Sequence, residues 1–224
     1  MRFLVLFALC LWPVAALSDD LVPQVAVTGT GTVSAEPDMA TVFLGVSREG
    51  RTASAAMAAA SEAAAQVLET VSQAGVEPRD VQTSSINLSP VWEQSNARPR
   101  QIRAYVASYD MQVRLREIGK TGDFLDAIVD DGANRLNGLS FGLADRTPLE
   151  QEARAAAMRA AKDKAETLAA AAEVRLGPVL SIVEGGAFRP QPAFREATLD
   201  AASAVATGEV DVRVSVSVTY GIEQ

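Results

Sequence analysis

The stretch 147–174, TPLEQEARAAAMRAAKDKAETLAAAAEV, constrains the fold more than any other part of the chain. It reads as one long helix. Thr147 can cap the first turn, Pro148 suits the first helical position, and Glu150 stands where a capping-box carboxylate reaches back. Met158, Ala161, Ala165, Leu168 and Ala172 recur at three- and four-residue spacing and form one apolar stripe. Arg159 with Asp163, and Lys162 with Glu166, lie four apart on the wetter faces. Gly177-Pro178 is expected to stop the helix. Because the stripe is mostly alanine, the helix must lie close against whatever it covers, and a flat sheet is the natural partner.

Composition narrows the function. The chain has 224 residues, enough for one sizeable core or two small ones. Hydrophobic residues make up 48% but aromatics only 5%, so the core is built from Ala, Val and Leu, with few surfaces on which bases or sugars could stack. Residues 1–16 read as a signal peptide: Arg2, an apolar run over 3–12, a break at Pro13, then small residues at Val14-Ala15-Ala16. The run is short for a bilayer span, and no transmembrane segment is expected in the mature chain, 17–224. Cys10 lies inside the apolar run after Leu9, which does not suit a lipoprotein. Cleavage after Ala16 would remove Arg2 and take the formal charge from −8 to −9, which argues against nucleic acid as a partner. The mature chain would hold neither cysteine nor histidine. Disulfides, thiolate or imidazole metal sites, Cys nucleophiles and a Ser-His-Asp triad are then excluded. No cofactor and no enzymatic activity are expected.

Val25, Val27, Gly29, Gly31 and Val33 alternate with Thr28, Thr30 and Thr32, a strand pattern with glycines inside it. After a turn at Ala35-Glu36-Pro37-Asp38, residues 40–46 read as a second strand and the hairpin partner of the first. A helix over 52–74 carries Met57, Ala60, Ala64, Val67, Val71 and Ala74 on one face, with Gly75 as its left-handed cap. A strand over 80–92, a polar loop over 93–101 and an alternating strand from Tyr105 to Leu115 follow. Residues 122–131 suggest a short helix, 136–144 a strand, 179–183 another. The 185–208 stretch, with Pro190 and Pro192, is long enough to be a functional arm. Val210, Val212, Val214, Val216 and Val218 mark the last strand. The order gives an α+β class: duplicated β-α-β-β units, about 24–116 and 134–222, with an antiparallel sheet and long helices packed on one face.

Several pieces together resemble the SIMPL-domain family of exported bacterial proteins, which includes periplasmic immunogenic antigens and oxidative-stress defence proteins. They are Val27-Thr28-Gly29-Thr30-Gly31, Pro37-Asp38-Met39-Ala40, Gly75-Val76 with Asp80-Val81-Gln82-Thr83, and Leu88-Ser89-Pro90. Gly132-Ala133-Asn134-Arg135, Gly138-Leu139-Ser140-Phe141, the helix over 157–169 and Gly208-Glu209-Val210 with residues 214–220 complete the set. The resemblance implies a duplicated β-α-β-β fold, export to the periplasm and, in some members, ring- or channel-like homo-oligomers. It implies no established reaction and no catalytic residues. Where members often carry a proline before the final Gly-Glu, this chain has Ala204-Val205-Ala206-Thr207.

Candidate chemistry is sparse. Thr28-Gly29-Thr30-Gly31-Thr32 lacks the Lys-Ser/Thr of a phosphate loop and suits close backbone packing better. Asp123, Asp126, Asp130 and Asp131 lack cation-loop spacing and read as a solvated face. Glu36 and Asp38 fit a turn, and Asn87-Leu88-Ser89 is a formal glycosylation triplet. Arg98, Arg100 and Arg103 cluster about a loop. Phe188, Pro190, Pro192 and Phe194 are the candidate oligomer contacts. Two functions remain. One is a self-assembling, non-enzymatic periplasmic protein, structural or stress-protective, associated with the outer membrane and with envelope protein partners. The other is a periplasmic ligand-binding module or weak hydrolase with a cleft between the two halves.

Overall fold

The computed structural model describes residues 22–93, 101–185, 192–193 and 206–223. In chain order these form β1 (Gln24–Ala35), β2 (Met39–Gly50), α1 (Ala53–Gln73), β3 (Val81–Trp92), β4 (Ile102–Leu115) and α2 (Thr121–Asp130). Then come β5 (Arg135–Gly142), α3 (Thr147–Ala171), β6 (Arg175–Glu184), the two-residue β7 (Pro192–Ala193) and β8 (Glu209–Glu223). The class is α+β with antiparallel pairing throughout. The strands make two sheets rather than one layer: β3-β4-β2-β5, and β1-β8-β6 with β7 beside β8.

The expected β1–β2 hairpin does not form. β1 pairs with β8 from Gln24↔Gly221 to Ala35↔Val210 without a break, while β2 lies between β4 and β5. The two strands are cut for different helices. β2 turns Val42, Leu44 and Val46 into a core with Val67, Val71, Met111, Val113, Phe124 and Ile128, which α1 and α2 cover. β1 turns Val27, Gly29 and Gly31 toward α3 instead. α1 starts as expected, with the Thr52 hydroxyl accepting from the Ala55 amide at 3.1 Å. It ends at a left-handed Gly75, φ +78. Its stripe runs through Ala56 and Ala63 as well as Ala60, Ala64, Val67 and Val71, while Ala74 is exposed and Met57 half-buried.

α3 is the long helix, but its buried row is Ala153, Ala157, Ala161, Ala165 and Ala169. Leu168 and Ala172 face out and Met158 is only half-buried. The reason lies in β1. A Cβ at Gly29 would overlap the Ala157 carbonyl oxygen, and one at Gly31 the Ala153 carbonyl oxygen. The backbones approach so closely that only alanine fits the helix row. The cap also differs from expectation: the Asp145 carboxylate accepts from the Thr147 amide at 2.9 Å, and Glu150 bonds Arg154 rather than reaching back. Glu173, at φ 57, turns the chain out of α3, and Gly177-Pro178 lies inside β6.

This packing makes a test. Gly29→Ala and Gly31→Ala should each lower stability by at least about 2 kcal/mol, because both helix and strand backbones must move. Gly122→Ala, in the open first turn of α2 with nothing near its Cβ, should stabilise by about 0.5 kcal/mol. Urea unfolding monitored by circular dichroism measures all three, and equal midpoints for Gly29→Ala and wild type would refute the packing account.

Candidate functional site

Of the residues singled out for chemistry, those the structure describes make structural contacts. The Thr28–Thr32 glycines are the α3 contact just described. Asp38 joins two chain crossings: its amide donates to the Gly142 carbonyl at 3.0 Å and its carboxylate accepts from the Ala144 amide at 2.7 Å. Asp131 accepts from the Thr70 hydroxyl at 2.6 Å and so ties the α2 end to α1. Asn87 donates to the Ser85 hydroxyl at 2.7 Å. Arg103 pairs with Glu49 at 3.2 Å, whereas Arg98 and Arg100 lie outside the described residues. Phe188, Pro190 and Phe194 also lie outside them, and Pro192 is placed only as backbone beside Val210. Among the described residues no group of three or more His, Cys, Asp or Glu could hold a metal.

One motif residue gains a definite task. The Asn134 amide accepts from the Ser47 amide at 2.8 Å and donates to the Ser47 carbonyl at 3.0 Å. Its own backbone amide reaches the Gly45 carbonyl at 3.2 Å. A side-chain amide thus extends the β2–β5 ladder by one step where β5 begins. Arg48 reinforces it by donating to the Gly132 carbonyl at 3.1 Å.

Two surfaces remain without such a structural task. The first is β6. It pairs with β8 on one side and, among the described residues, with no strand on the other. Val179, Leu180, Ile182 and Val183 stand between 46% and 59% exposed along it. α3 lies over β1 and β8 and leaves them uncovered. The other sheet edges are interrupted too, as β6 is by Pro178 and its register shifts between Leu176, Val179 and Ser181, and β3 also exposes Ile86, Leu88 and Trp92. Lys164 donates to the Thr28 carbonyl on β1 at 2.8 Å, and β3 carries Pro90 and a bulge between Thr83 and Ser85. β5 is short and irregular opposite Phe43 and Leu44.

The second surface is a cavity of about 440 Å³ where the end of α1, the turn Pro78–Asp80, the end of β4 and the start of α2 meet. Val76, Leu115 and Phe124 line it, with Asp80, Arg116 and Lys120 on its charged side. Asp80 is only 5% exposed and accepts two bonds from Arg116, at 2.7 and 3.0 Å. These bonds, aided by the guanidinium charge and opposed by burial, hold the Asp80 carboxyl below its ordinary value. Hydrogen bonds from Thr147 do the same for Asp145. Neither surface was visible in the sequence: β6 alternates poorly, and the cavity is built from residues far apart in the chain.

The chain is therefore an α+β protein whose distinctive polar residues close backbone ladders and chain crossings. It belongs to the SIMPL family: residues 25–220 match the family model described as "SIMPL: Protein of unknown function (DUF541)". It is 37% identical over 215 residues to the "26 kDa periplasmic immunogenic protein" of Brucella melitensis, covering 89% of this chain and 85% of that one. It is 30% identical to the "Uncharacterized protein YggE" of Edwardsiella ictaluri, over 77% and 73% of the two chains, and 28% identical to that of Escherichia coli K12, over 80% and 73%.

Two outcomes follow from these bonds. Asn134→Ala should cost about 1–3 kcal/mol, since it strips two bonds from a strand backbone; thermal melting checks it. Asp80 is lowered in the folded state, so its contribution is complete above the unfolded value near 3.8 and fades as pH falls through the lower folded value. The stability gap between wild type and Asp80→Asn should therefore narrow between about pH 5 and pH 2. A gap that widens on acidification would contradict the Asp80–Arg116 account.

Proposed function

We propose that this chain is an exported, non-enzymatic protein of the periplasm that assembles with copies of itself and has a structural or stress-protective role at the envelope. The observation that carries the reading is β6, an open strand edge with apolar side chains on an otherwise acidic protein. Beyond Pro178, a row of backbone donors and acceptors that no other strand pairs among the described residues, flanked by exposed Val, Leu and Ile, is a template for another strand. Sequence supports export, with 1–16 as the leader and 17–224 as the mature domain. The name of the Brucella relatives, periplasmic immunogenic protein, supports the compartment. The mature domain is read as two β-α-β-β halves, about 24–116 and 134–222, each contributing one long helix, with β1 and β5 exchanged between their sheets. Phe188, Pro190, Pro192 and Phe194 are further contacts between copies in this reading. Outer-membrane association and envelope partners extend the same proposal. Among the described residues, no helix is long and apolar enough to cross a membrane.

Light scattering on the purified mature chain tests the assembly. Wild type should run as a multimer, and Ile182→Lys with Val183→Lys should shift it toward monomer, because two charges on the edge oppose close pairing. Both side chains are more than half exposed, so the fold should survive, with unchanged circular dichroism. A wild-type chain that stays strictly monomeric at high micromolar concentration would end this reading.

A further inference from the structure

We infer that the cavity between α1, β4 and α2 is a binding site for a small amphiphile with an apolar body and a carboxylate head, and that Arg116 receives the head. The site stands independently of self-association. Its volume, about 440 Å³, falls in the range of small-molecule pockets. Leu115 and Phe124, 7% and 4% exposed, belong to the first core, so the apolar wall is fixed by packing rather than built on a loop. Val76 and Ala127 continue that wall.

The polar side selects the head group. A guanidinium has two edges that can grip a carboxylate. Asp80 takes the edge made by Nε and Nη2. Nη1 makes no hydrogen bond among the described residues, and the Arg116 side chain is 48% exposed. Among the described residues the Nη1–Nη2 edge therefore has no other partner, and its plane is held by a carboxylate that is itself buried. This is a preoriented anion receptor, not a loose surface cation.

Four carboxylates line the cavity, Glu77, Asp80, Glu117 and Asp123, against Arg114, Arg116 and Lys120, but three of the four are engaged by a cation. Glu117 is engaged by Lys120 at 2.7 Å and Glu77 by Arg79 at 2.7 Å. The Lys120–Glu117 pair is exposed, so it costs little for Lys120 to turn to a ligand. Arg114, also at the mouth, has no ion-pair partner among the described residues. Asp123 is the opposing charge. It lines the cavity from the first turn of α2, is exposed, and is favoured in place by the helix end, whereas Arg116 is held by the buried Asp80.

Isothermal titration of the mature chain with octanoate, octanol and octylamine tests the site. Octanoate should bind saturably, one per chain, at least tenfold tighter than octanol, and octylamine should not bind. Ala127→Trp, which fills the cavity, should abolish octanoate binding. Arg116→Lys keeps a cation for Asp80 but lacks the second edge, and should weaken octanoate at least tenfold while leaving octanol unchanged. Ile182→Lys should leave octanoate binding intact, which separates the cavity from the β6 edge. Absent saturable heat with octanoate, equal affinity for octanol, or full affinity in both Ala127→Trp and Arg116→Lys would each overturn the assignment.

Discussion

The contact between α3 and β1 decides the shape of the sheet formed by β1, β8 and β6. Gly29 and Gly31 have no side chains, and the helix carbonyls of Ala157 and Ala153 occupy the space that a Cβ would need. Such an approach admits only alanine on the helix side, and five alanines at four-residue spacing supply it. The core that results is thin: a row of methyl groups against Val214, Val216, Val218 and Tyr220. A helix set so low covers chiefly β1 and β8; on β6 it meets Leu176 and, through Arg154, Glu184, while Val179, Leu180, Ile182 and Val183 stay exposed.

The first sheet is built by the opposite rule. α1 meets it with Val67 and Val71 as well as alanine, and α2 adds Phe124 and Ile128. Past its first turn, where a Cβ on Gly50 would meet the Ala56 backbone, these larger side chains let the helix share one core with α2. The same packing leaves room at the end of β4, where α1 stops and α2 has not yet closed over. The cavity occupies that room. Its charged side exists because Arg116 follows directly on the end of β4, beside Asp80 at the start of β3.

Periodicity made the elements legible in the sequence, but their partners were not. β1 and β8 alternate plainly, and α1 and α3 carry apolar stripes, so the α+β class follows from pattern alone. Period does not say which strand lies beside which. A short link between β1 and β2 suggested a hairpin, but Asp38 bonds to Gly142 and Ala144 and leads the chain into the other sheet. In α3 the larger residues Met158 and Leu168 drew the stripe away from Ala153 and Ala157. Hydrophobicity ranks leucine above alanine; the glycines of β1 reverse that order, and their effect is visible only once strand and helix are juxtaposed. Asp80 and Arg116 could not be paired by any local rule, since they stand 36 residues apart.

An apolar strand edge invites indiscriminate aggregation, so its place in an acidic protein needs a physical account. At net charge −8 the chain repels copies of itself at long range, and association is favoured only where close pairing outweighs that repulsion. Along β6 the four exposed apolar residues lie between Arg175 and Glu184, and both charged ends already have partners within the chain, Glu184 with Arg154 at 2.9 Å. In the association proposed here the strand ends therefore add little, and the attraction comes from the apolar residues between them. Whole-chain repulsion then sets how many copies can gather before it outweighs that contact.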